Sequence, residues 1–102
     1  NKMDAKYCAA WQYVNLHVIQ QANVSKKNKR KLESVLDHVV DWCYTHNVEG
    51  DTRPIEAIKA DCVKSVQGLP ILGWFGWLLL KFIIEQIIIA VLKRVLNANK
   101  NS

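Results

Sequence analysis

The chain has 102 residues, enough for one small domain; half are apolar, yet mean hydropathy is −0.06. Its 14 Lys and Arg against 9 Asp and Glu give a net charge of +5, which favours an anionic surface or nucleic acid as partner. This composition excludes a disordered tail, a collagen-like repeat and a disulfide-stapled mini-protein.

Four segments read as helices and none as a strand, so the expected fold is all-α. Three amphipathic helices precede one long, nearly all-apolar C-terminal helix. The expected organisation is a helical head over 1–67, a Gly-Leu-Pro breaker at 68–70, a membrane-competent helix over 71–96 and a short polar tail over 97–102.

The first helix is expected from about Asp4, as N-cap, to Ala22. Tyr7, Trp11, Val14 and Val18 would share its apolar face. The second runs from about Lys26 to His46, with Ser25 as N-cap. Leu32, Val35, Leu36, Val39, Val40 and Cys43 form the cleanest apolar stripe in the chain, and Asn47 and Gly50 suit the turn that follows. The third runs from about Pro54 to Gln67, capped by Asp51 or Thr52, with Pro54 in its first turn. Its stripe is Ile55, Ile58, Cys62 and Val66. Gly68, Leu69 and Pro70 stop it.

The fourth helix starts between Ile71 and Trp74 and continues to about Leu96. Residues 69–92 hold 15 Leu, Ile, Val or Phe in 24 positions. The 19 residues from Trp74 to Leu92 rise roughly 28 Å, close to a bilayer core of about 30 Å. Trp74 and Trp77 suit one membrane interface, and Lys93 and Arg94 the other. Lys81, Glu85 and Gln86 lie near the middle. Their cost brings insertion of a lone helix near break-even, so the helix is expected in company. Lys81 and Glu85 are four residues apart and stack on one face. A soluble bundle or an assembly of copies could bury the same helix.

Lys26, Lys27, Lys29, Arg30 and Lys31 form a basic run at a helix start, where cations oppose the helix dipole. An anionic partner, lipid or non-specifically bound nucleic acid, is the functional reading, and a solvated helix end is the plain one. His38, Cys43 and His46, with Cys62, Cys8 or His17, match no common zinc spacing, so no metal or other cofactor is expected. No Cys–His pair reads as catalytic, so the chain is expected to be non-enzymatic with no small-molecule substrate. Trp11 and Trp42 read as core or interface aromatics. The odd number of cysteines without CxxC points to a reducing compartment for the head. The first residues do not read as a secretory leader.

The expected function is self-association with entry of the C-terminal helix into a membrane. The alternative is a structural subunit of a homo-oligomer or virus particle, with that helix buried between protomers. A helical head, one apolar helix and a short basic tail resemble the general plan of small viral lysis proteins (holins) and of virion proteins that enter the host envelope during genome ejection. The resemblance is one of architecture. It implies a pore or a membrane-contacting virion component and assigns no residue a role.

Overall fold

The computed structural model describes residues 4–97, and Lys100 and the rest of the tail beyond Asn97 lie outside them. Among these residues the chain is all-α: α1 (Ala5–Val14), continued by a π-helical turn (Asn15–Ile19); α2 (Lys26–Thr45); a 3-10 turn (Val48–Gly50); α3 (Ile55–Gln67); and α4 (Gly73–Asn97).

The first helix departs from its expected form at both ends. Asp4 sits at the N-cap, but its side chain caps nothing. Its carbonyl instead accepts from the N–H groups of Tyr7 (3.0 Å) and Cys8 (3.3 Å). After Val14 the backbone widens. The Gln20 N–H donates to the Asn15 carbonyl at 2.9 Å, five residues back, and the Gln20 side-chain amide donates to Asn15 Oδ1 at 3.0 Å. One extra residue in the turn rotates the following face. After the turn, burial therefore falls on Ile19 rather than Val18; before it, Tyr7, Ala10 and Val14 are buried and Trp11 is half-buried.

In α2 the apolar stripe is buried as its spacing predicts: Leu32, Val35, Leu36, Val39, Val40 and Cys43. Ser25 Oγ accepts the Asn28 N–H at 3.1 Å, the expected N-cap bond. Asn47, at φ 49°, turns the chain out of the helix in the left-handed region that Asn tolerates.

Pro54 stands at the N-cap of α3, one place before the first turn, and no side chain caps that helix. The Asp51 carboxylate is occupied by Arg53, accepting its backbone N–H at 3.0 Å and its Nη2 at 2.8 Å. A charge-assisted pair outcompetes a distant neutral N–H for the same oxygens. Ile58, Cys62 and Val66 are buried, but Ile55 is exposed because the first turn of α3 lies at the bundle's edge. Gly68 to Leu72 form the corner into α4. It closes through Gly73 at φ +62°, a conformation costing other residues about 1–2 kcal/mol.

Helices α1, α2 and α3 all pack on α4. α1 runs antiparallel to both α2 and α4, so α2 and α4, which also pack together, run parallel. Trp11 Nε1 donates to Asp37 Oδ1 (2.7 Å), and Gln20 Nε2 to Glu33 Oε2 (3.0 Å), so α1 descends as α2 ascends. Arg94 lies over Tyr13, whereas Ile83 and Gln86 meet the segment around Gln21 to Asn23, which sets α1 against α4. The corners at 20–25 and 68–72 therefore share one end of the bundle.

Candidate membrane-contact surface

Length decides how α4 is covered. Its 25 residues rise about 37 Å, matching the 38 Å long axis of the molecule. The 13 residues of α3 rise only about 20 Å, and the 15 of α1 with its π turn roughly the same. The C-terminal half of α4 is consequently the centre of the bundle: Ile84, Ile87, Ile88, Val91, Leu92 and Val95 are buried. The N-terminal half outruns its neighbours on one side.

That side carries Ile71, Trp74, Phe75, Leu78, Leu79 and Phe82, all exposed. Trp74, Phe75, Leu78, Leu79 and Phe82 share one face of α4 over roughly two turns, and Ile71 extends the exposed patch from the corner before the helix. Trp74, Phe75, Leu79 and Phe82 are between 68% and 79% exposed. From the areas such side chains offer, the patch is on the order of 700 Å², above the 300–600 Å² of the largest patch on an ordinary monomer. Trp74 and Phe75 meet edge-on at 5.0 Å. Beside the stripe, Trp74 and Trp77 form a groove with Leu69, Pro70 and Gly73 at the α3–α4 corner.

The stripe ends where the polar residues begin. Lys81 and Gln86 are exposed, and Glu85 is half-buried. Among the described residues no ion pair joins Lys81 to Glu85. Glu85 instead faces a groove shared with Lys59 and Lys64 of α3. On the same helical face, further on, Ile89 is half-buried and Lys93 exposed. Arg94 places its guanidinium 3.7 Å above the Tyr13 ring, a cation–π contact that fastens the end of α4 to α1. Trp77 is half-buried, so of the two interface tryptophans only Trp74 projects outward.

The sequence reading did not single out Ile71, Phe75, Leu78, Leu79 or Phe82. Their spacing was visible, but α4 is apolar on every side, and periodicity alone cannot say which face its neighbours leave bare.

In the basic run, Lys26, Lys27 and Arg30 are exposed, and Lys29 and Lys31 are half-buried. Lys29 Nζ donates to the Gln20 carbonyl at 3.1 Å, at the C-terminal end of the preceding helix, where a cation is favourable.

The histidines and cysteines do not converge. Among the described residues no group of three or more His, Cys, Asp or Glu side chains is placed to hold a metal. His38 Nε2 pairs with Ser65 Oγ at 2.6 Å, joining α2 to α3, and burial lowers its pKa. His46 stacks on Trp42 at 4.6 Å, and His17 lies against Tyr13. Cys43 and Cys62 are buried free thiols, pushed up to about 12 by burial, and Cys8 is exposed. At the far end, Glu49 pairs with Lys6 and accepts the Tyr7 hydroxyl at 3.0 Å. Burial, then that carboxylate, raises the Tyr7 pKa.

α4 is long and apolar enough to cross a membrane, and 33% of its most apolar 18 residues are buried. The core helix of a soluble bundle shares that length and composition, and the buried half of α4 is such a helix. In comparison with known proteins, no family model, curated protein or solved structure matches the chain.

Proposed function

We propose that this is a non-enzymatic helical bundle that docks on a lipid bilayer through the exposed first half of α4. The observation that carries this is the exposed patch from Ile71 to Phe82, three of whose six residues are aromatic. Such a face buries about 5–10 Å into the boundary between headgroups and acyl chains. Trp74 suits that boundary, with an apolar ring and one N–H to satisfy.

Magnitudes favour docking of the intact fold over immediate spanning. To span, α4 would withdraw seven buried aliphatic side chains from the head. It would leave the α2 stripe to water, at about 1.5–3 kcal/mol per large side chain. That loss is comparable with the whole stability of a small domain, about 5–15 kcal/mol. The stripe is available with no such loss. Complete insertion, and any pore built by several copies, belongs to a later step in which α4 leaves the bundle.

A second reading places another copy of the chain on the stripe. Two patches on the order of 700 Å² would bury about 1,400 Å² in total, within the range of stable protein interfaces. Sedimentation with liposomes, alongside sizing without lipid, separates the two. Docking predicts co-sedimentation that Phe75→Ser/Leu79→Ser/Phe82→Ser abolishes while helicity is unchanged. A detergent-independent dimer of the wild type that ignores liposomes overturns docking in favour of the second reading.

A further inference from the structure

Resting on the reading that α4 meets a bilayer, we infer that the bilayer is anionic, with Lys26, Lys27 and Arg30 gathering its phosphates while the α4 stripe enters the acyl boundary. The fold brings the two features to one end. The corner that leads into α2 packs by Gln21, Ala22 and Asn23 beside Ile83 and Gln86, just past the end of the stripe. The basic run begins three residues after Asn23.

The charge at this end is mainly positive: residues 19–32 and 68–82 contain six Lys and Arg, and the nearest acids are Glu33, which accepts from Gln20, and Glu85, which faces Lys59 and Lys64. The opposite end is mixed: Glu49 pairs with Lys6, Arg53 pairs with Asp51 and Asp61, and Lys93 and Arg94 stand in the last turns of α4. Among the described residues, Lys26, Lys27 and Arg30 are exposed and form no ion pair. They do not serve their own helix, since cations at a helix N-terminus oppose its dipole. An anionic phosphate layer would reverse that mismatch, because the helix N-terminus and the cations then attract the same charge.

Lipid is favoured over nucleic acid by what adjoins the run. Nucleic acid offers phosphates but nothing for an aliphatic and aromatic stripe to enter, whereas a bilayer supplies both layers at once. The strength with which an apolar helical face binds a membrane scales with the apolar area it buries plus electrostatic attraction to anionic lipids, so the two features act together.

The full chain should be titrated against liposomes of phosphatidylcholine alone and of phosphatidylcholine mixed with phosphatidylserine. Each basic side chain near an anionic surface strengthens binding about fivefold, so three predict a preference on the order of 100-fold for the mixed liposomes. Lys26→Gln/Lys27→Gln/Arg30→Gln should erase that preference, leave the weaker binding to phosphatidylcholine and leave helicity intact. Added salt should weaken only the preference. Equal wild-type affinity for both liposomes would overturn the inference and leave the docking reading standing. So would a preference that survives the triple substitution, or release of the protein from mixed liposomes by duplex DNA at equal phosphate concentration. Binding to neither liposome would overturn both.

Discussion

Leu79 and Leu80 are adjacent in the chain and opposite in environment: Leu79 is 72% exposed and Leu80 1% exposed. The step of one residue, 100° around the helix, passes from the bare side of α4 to the side facing the head. Substitution should read that difference directly. Leu80→Ala should cost about 2–5 kcal/mol of folding stability, by loss of buried methyl groups and the cavity left behind. Leu79→Ala should change stability by no more than about 0.5 kcal/mol. Urea unfolding of the two variants checks this, and equal losses would contradict the placement of the stripe.

The far end of the bundle is tied by Glu49, which pairs with Lys6 and accepts the buried Tyr7 hydroxyl. Glu49→Ala leaves that hydroxyl without its carboxylate acceptor, at a cost of about 1–3 kcal/mol. For a domain of this size each kcal/mol lowers Tm by about 4–8 °C. Tyr7→Phe removes donor and penalty together, so its loss should be smaller. Thermal unfolding followed by circular dichroism gives both values.

His38 predicts a pH dependence with a definite sign. Burial, opposed by Asp41 and assisted by His46, lowers its pKa in the folded state below the ordinary value of 6.5. The unfolded chain therefore binds a proton more readily than the folded one. The stability that His38 contributes is fully present above the unfolded value and is lost as pH falls from there through the folded value. The urea midpoint should accordingly drop as pH falls below 6.5. In His38→Gln that part of the drop should be missing.

The buried thiols give a test of packing between α2 and α3. Cys43 and Cys62 are fully buried, with pKa values pushed up to about 12, so neither access nor thiolate is available near neutral pH. Native protein should react with a disulfide reagent at Cys8 alone, and all three cysteines should react after unfolding. Rapid native labelling of Cys43 or Cys62 would show that α3 does not hold the position described.

The parts legible in the sequence were those where local pattern and tertiary context agree. The α2 stripe, its Ser25 cap, the breaker at 68–70 and the extent of α4 follow from spacing and capping chemistry alone. The π turn did not, because its bonds from Gln20 to Asn15 leave no periodic signature and displace burial from Val18 to Ile19. The cap expected of Asp51 went instead to Arg53, a competition between two nearby donors that only geometry settles. The exposed stripe was not legible: of its residues only Trp74 was picked out, because its extent depends on where α1 and α3 stop relative to α4.

The most direct measurement of the central claim uses 5-fluorotryptophan at all four Trp positions, observed by fluorine NMR with bilayers carrying a lipid spin-labelled in its acyl chain. Docking of the intact bundle predicts strong broadening of Trp74. It also predicts that Trp11, hydrogen-bonded to Asp37, and Trp42, stacked on His46, keep their shifts and widths. A sharp Trp74 resonance in the bilayer-bound protein, or broadening of all four alike, would contradict it.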